Sequence, residues 1–133
     1  MHTIRIKTTA RQQFIDITDD IRAHVRQSGV TSGIAVVFVP HTTAGITLNE
    51  NWDDDVKTDM LLALERMVPD EGFRHSEGNS AAHAKAMITG ASAQLIISGG
   101  DIALNSWQGI YFAEFDGPRQ RKVNIEIIGQ ART

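Results

Sequence analysis

The chain has 133 residues, 41% hydrophobic and 22% charged, the composition of one ordinary globular domain over 1–133 and not of a disordered or fibrous protein. Thirteen Lys and Arg against sixteen Asp and Glu give a formal charge of -3 with no basic stripe, which excludes the phosphate-neutralising surface of a nucleic-acid binder. Cysteine is absent, excluding disulfides, thiolate metal sites and thiol nucleophiles, and no stretch approaches the ~20 apolar residues of a membrane span. A reducing, cytoplasmic setting is the expectation.

Ile4 and Ile6 alternate with Arg5 and Lys7 at the period of a half-buried strand, and Phe14, Ile15 and Ile17 predict a second. Thr18 or Asp19 caps a helix that runs to Ser28 and stops at Gly29, with Ile21 and Val25 inward. The unbroken β-branched run from Gly33 to Val39 predicts a central strand covered on both faces, ended by Pro40. HTTAG then turns, ITLNE is extended, and Asn51 caps a helix over Trp52 to Met67 whose inner stripe is Val56, Met60, Leu64 and Met67. Asp53, Asp54 and Asp55 fall in its first turn, where the helix dipole favours negative charge.

After Pro69 a polar stretch, DEGFRHSEGN, leads to a short helix over Ser80 to Thr89. The remainder reads as strands, SAQLIIS, SWQGIYFAEF and RKVNIEIIG, with turns at Gly99-Gly100 and Gly117-Pro118. The expected class is α+β, a single domain.

Five histidines are present, of which His2 lies at the terminus and His24 on a solvent face of its helix, with no role expected. His41, His75 and His83 each sit at the end of an element, where sites are assembled. Three imidazoles can hold a divalent metal with an open position, or serve unmetallated as phosphate donors and proton carriers near pH 7. Thr42, Thr43, Asn49 and Glu50 after His41, and Glu77 and Asn79 between His75 and His83, supply the polar partners such a site requires. EFDGPR presents Asp116 and Arg119 around a tight turn, either toward a phosphate or carboxylate or as a hairpin staple. Trp107 with Tyr111 either lines an aromatic pocket or packs in the core.

VPHTTAGITLNEN, HSEGNSAAHAKA and SWQGIYFAEFDGPRQRKV together resemble the YjbQ-like family, also called the secondary thiamine-phosphate synthase family, over about Ile4 to Gly129. The resemblance implies an antiparallel β-sandwich with two or three helices, a homotrimer, and a histidine-rich pocket near the subunit boundary. It implies a transferase joining an aminopyrimidine diphosphate to a thiazole phosphate, with a small phosphorylated substrate and no membrane or nucleic-acid partner. His41, Glu50, Asp116 and Arg119 are then the expected catalytic set, and Asn49, Thr42 and Asn79 the ligand-binding residues. His41, His75 and His83 are the expected ligands of a divalent metal, Zn2+ or Mg2+. A non-catalytic phosphometabolite-binding module and a metal-dependent hydrolase are the alternatives. One departure is visible: Asn105-Ser106 stands where the family has Gly-Thr, and asparagine is the least costly replacement if that glycine is left-handed.

Overall fold

A computed structural model of the chain describes residues 1–131; Arg132 and Thr133, the end of the expected domain, lie outside the described residues. The elements run β1 (His2–Lys7), β2 (Gln13–Asp16), α1 (Thr18–Ser28), β3 (Val30–Phe38), β4 (Ala44–Glu50) and α2 (Asp54–Met67). They continue with α3 (Ser80–Thr89), β5 (Ser92–Ser98), β6 (Asp101–Ile102), β7 (Gln108–Glu114) and β8 (Gln120–Ala131). A five-stranded sheet, ordered β1-β8-β3-β5-β6, packs on a three-stranded sheet, β2-β7-β4, and every pairing is antiparallel.

The main core fills the space between the sheets. Val37, Leu95, Ile97, Val123 and Ile125 project from one and Ile46, Ile110 and Phe112 from the other, while Ile21 and Val25 of α1 join the same cluster. Burying each such side chain is worth about 1.5–3 kcal/mol. Behind the small sheet, Ala82 and Ala86 of α3 meet Ala113 and Phe115, with Leu61 and Leu64 of α2 against them. The layers are therefore sheet, sheet and helices.

Three local expectations are corrected. Neither Thr18 nor Asp19 caps α1: Ile17 holds that position without a side-chain cap, and Asp16 Oδ1 accepts the Thr18 N–H at 2.9 Å. The cap of α2 is Asp53, not Asn51, because its carboxylate accepts the Asp55 N–H at 2.9 Å. Of the expected inner stripe of α2, Leu64 packs into the small core with Leu61 beside it, whereas Met60 is 36% and Met67 64% exposed, and no residue of the helix is fully buried. Gly29 does end α1 in the left-handed region, at φ 74°.

The fourth correction concerns β3. It is central, but only its inner face is covered: Ala35 and Val37 are buried, whereas Ile34 is 47% and Phe38 45% exposed. Strand side chains alternate between faces, so a continuous apolar run has an outward half. Register puts Ile34 between Ile96 and Ile128, an outward apolar row across three strands.

Candidate functional site

The site is built where the start of β4 lies beside the end of β7. Ala44 pairs with Glu114, and the chain around this point supplies His41 and Thr43 from one side and Asp116 from the other. Gly117 can have no side chain there, because a Cβ would collide with the Ala10 carbonyl and Thr8 Oγ1. The loop before α3 brings His75 and Asn79, and the first turn of α3 brings His83. Together they surround a hollow of about 680 Å³, inside the ~300–1,000 Å³ range of small-molecule sites. His41, Thr42, His75, Asn79, His83 and Arg119 all line it, with Phe38, Val39 and Pro40 as an apolar wall.

His75 and His83 meet edge to face, ring centroids 5.6 Å apart, and His75 Nε2 lies 4.0 Å from a Glu77 carboxylate oxygen. His41 is held differently: its Nε2 accepts the Lys122 N–H at 3.0 Å. That bond requires a lone pair on Nε2, so the assigned form is the neutral ring protonated on Nδ1. Burial, and then the Arg121 guanidinium, hold the His41 pKa below the ordinary imidazole value. In this arrangement the one lone pair of the neutral ring is taken by the Lys122 N–H, so His41 offers a donor at Nδ1 and no free acceptor. Among the described residues no three His, Cys, Asp or Glu side chains are grouped to hold a metal ion.

Asp116 and Arg119 form the expected pair: Arg119 Nη2 donates to Asp116 Oδ2 at 2.9 Å and Nε to the Asp116 carbonyl at 2.7 Å. Asn79 Nδ2 donates to the same carboxylate oxygen at 3.0 Å, tying the histidine loop to the turn. Asn79 Oδ1 is buried with no hydrogen-bond partner, the one such side-chain atom among the described residues. Buried polar groups are normally satisfied, so this oxygen is an exception within the residue that ties the histidine loop to Asp116.

Asn49 and Glu50 are not brought to this hollow. They end β4, where Asn49 pairs with Gly109 and Glu50 with Gln108, about 20 Å along the strand from Ala44 at ~3.3 Å per residue. There Glu50 offers its carbonyl to the Tyr111 hydroxyl at 3.1 Å, and Asn49 lines a separate groove between the small sheet and α2. Trp107 is at that far end too, half exposed and edge-on to Trp52 at 5.1 Å, so it enters neither the hollow nor the core. Asn105 is not left-handed; its Oδ1 accepts the Trp107 N–H at 3.2 Å in a local turn. His2 and His24, given no role, stack on each other with centroids 3.9 Å apart.

Sequence reasoning passed over the residues beneath the hollow. Glu114, with no exposed surface, accepts Arg121 Nε at 2.8 Å on one oxygen and Arg121 Nη2 on the other. Thr8 Oγ1 and the N–H groups of Phe115 and Asp116 also donate to it. Arg121 Nη2 donates in turn to Thr43 Oγ1 at 2.8 Å. The signal was a carboxylate embedded in GIYFAEF, and an arginine at an inward position of the next strand.

An antiparallel two-sheet domain with helices behind its small sheet and a histidine-lined hollow at one end is thus the class of protein defined. The chain belongs to the YjbQ-like family: the family described as UPF0047 protein YjbQ-like matches residues 2–130. It is 50% identical to the UPF0047 protein YugU of Bacillus subtilis over 131 residues, 97% of this chain and 99% of that one. A UPF0047 protein of Methanocaldococcus jannaschii is also 50% identical, over 94% of this chain and 91% of its own. The crystal structure of an uncharacterized YjbQ/UPF0047 protein from Clostridium acetobutylicum superposes with TM-score 0.94 at 53% identity, covering 96% of this chain and 100% of that one. A YbjQ-like protein of unknown function from Sulfolobus solfataricus reaches 0.94 at 31% identity, over 97% and 96% of the two chains. The described residues contain no helix long and apolar enough to cross a membrane.

Proposed function

We propose that the hollow binds a small phosphorylated metabolite together with a divalent cation, and that the chain is a transferase of the thiamine-phosphate synthase type. The charge arrangement supports the cation, and the two arginines that line the hollow, Arg119 and Arg121, support the phosphate. Arg119 is cancelled by Asp116 and Arg121 by Glu114, while among the described residues Glu77 pairs only with the His75 imidazole, at 4.0 Å. With the imidazoles neutral, the fixed charge is slightly negative. A phosphate ester would add up to two more negative charges, so a cation or imidazolium must accompany it.

Of the expected ligands, His75 and His83 adjoin each other, and a cation between them would have to draw in Glu77 from its 4.0 Å approach to His75; His41 offers no lone pair while its Nε2 is engaged. Imidazole donors favour Zn2+ over Mg2+, which prefers an all-oxygen shell. When bound, the cation would supply charge stabilisation for a departing pyrophosphate. Within the chain, Arg119 swings from Asp116 to meet phosphate oxygens, Thr42 donates from the rim, and the Nδ1 proton of His41 is available to a leaving oxygen. The apolar wall of Phe38, Val39 and Pro40 excludes water from one side. Phe38 also belongs to the exposed face of β3, so a homotrimer closed through that face would adjoin the hollow.

Titration of inorganic pyrophosphate with and without Zn2+ between pH 8 and 5.5 tests the cation. Imidazole ligates only when neutral, so cation-assisted binding weakens as the pH falls. Binding that instead strengthens on acidification, with no Zn2+ dependence, replaces the cation by imidazolium. Turnover of the paired aminopyrimidine diphosphate and thiazole phosphate tests the transferase; binding without turnover leaves a non-catalytic module.

A further inference from the structure

Arg121 has more donors than its structural partners use. It projects inward from β8, is 7% exposed, and lines the hollow. A guanidinium carries five N–H groups in a rigid fork. Nε and one Nη2 hydrogen are spent on the Glu114 carboxylate, and the other Nη2 hydrogen on Thr43. Nη1 makes no hydrogen bond among the described residues, yet it is not among the sealed, unsatisfied atoms either. It therefore opens onto the hollow that Arg121 lines.

Arg119 differs on each count. Its side chain is 52% exposed, and its engaged donors close on Asp116 within its own turn. Recruiting it to a ligand means breaking that pair and ordering a long side chain, both of which weaken binding. Arg121 is already held through Nε and Nη2, so a ligand oxygen meeting Nη1 gains a charged donor with no ordering cost. Glu114 sets the plane of the fork by gripping its opposite edge, and Thr43 fixes its tilt.

We propose that Arg121, through Nη1, is the fixed donor for the ligand's phosphate oxygens, with Glu114 as the positioning residue that presents it. This rests on the reading of a phosphorylated ligand. It goes beyond that reading by moving the principal phosphate contact from the turn to the floor of the hollow.

The experiment is calorimetric titration of the full chain with inorganic pyrophosphate, with and without Zn2+. Arg121→Lys keeps the positive charge for Glu114 but cannot offer a second donor edge, and is expected to bind roughly tenfold more weakly or worse. Arg119→Ala, which removes a contact that must first be freed from Asp116, is expected to weaken binding less than Arg121→Lys does. Should Arg121→Lys fail to fold, guanidinium 15N resonances of the parent decide: pyrophosphate should shift Arg121 Nη1 and leave Nη2 nearly in place, a response a purely structural arginine would not give. Glu114→Gln should broaden those resonances and weaken binding. Parent-like binding by Arg121→Lys, or an unmoved Nη1 signal in a pyrophosphate-bound parent, overturns the assignment alone. A parent that binds no pyrophosphate under either condition overturns the phosphorylated-ligand reading and this assignment with it.

Discussion

Glu114 and Arg121 lock β7 to β8 through a two-pronged ion pair in which the carboxylate has no exposed surface and the arginine only 7%. Removing one member of such a pair strands a buried charge. Arg121→Ala and Glu114→Ala should each cost about 3–5 kcal/mol, lowering the melting temperature by roughly 10–20 °C for a domain of this size. Replacing both by apolar residues of similar volume should cost less than either single change, and calorimetric melts of the three variants check the ordering.

Acid should destabilise the fold in two stages. The His41 pKa is lowered by burial and then by Arg121, so the unfolded chain binds the proton more readily. That contribution is complete above the ordinary imidazole value of 6.5 and is lost as pH falls below it. For Glu114, burial pushes the pKa up, but hydrogen bonds from Arg121, Thr8 and the Asp116 N–H outweigh it and hold the carboxyl below its ordinary value of 4.5. Its contribution is present above that value and declines below it. Urea midpoints measured from pH 8 to 3 should fall first below 6.5 and again below 4.5. His41→Gln should shrink the first decline, the rest of which comes from His24, lowered by burial and by His2, and should leave the second.

Lys85 is 3% exposed, and its ammonium donates to Glu65 and Gln12, joining α3 to α2 and to the chain before β2. Glu65→Ala leaves that ammonium with one neutral acceptor and should cost about 2–3 kcal/mol. Lys85→Met, which removes the buried charge and keeps the stem, should cost less. Chemical denaturation of both variants provides the comparison, and a larger loss for Lys85→Met would show the pair to be net stabilising.

The outward row Ile96, Ile34 and Ile128 should make solution mass sensitive to one charge. If copies associate through this face, light scattering of the parent gives three times 14.6 kDa, and Ile34→Glu gives the single chain with its melt little changed. A monomeric parent at micromolar concentration removes the trimer.

Much of the fold was legible because it is written locally. The helix at Ser80–Thr89 and the strand at Ser92–Ser98 were legible, since a glycine after the helix and strict alternation in SAQLIIS are short-range signals. The cap of α2 was misplaced because Asn51, Asp53 and their neighbours are all good caps, and only the path of the chain selects one. The site was legible in part: the histidines stood out by type and by position at element ends. Asn49 and Glu50 were grouped with His41 because they lie close to it in sequence. An extended strand separates them instead of gathering them.

The sequence by itself determined the class, the strands and helices, and which polar residues were unusual for their positions. Tertiary structure alone decided which of those residues meet. Thr8 reaches Glu114 across 106 positions and Arg121 reaches Thr43 across 78, contacts set by antiparallel register between strands far apart in the chain. Periodicity reports which face a side chain takes, but not what will stand opposite it. For that reason the outward half of β3 read as core, and the charged pair beneath the hollow read as ordinary strand.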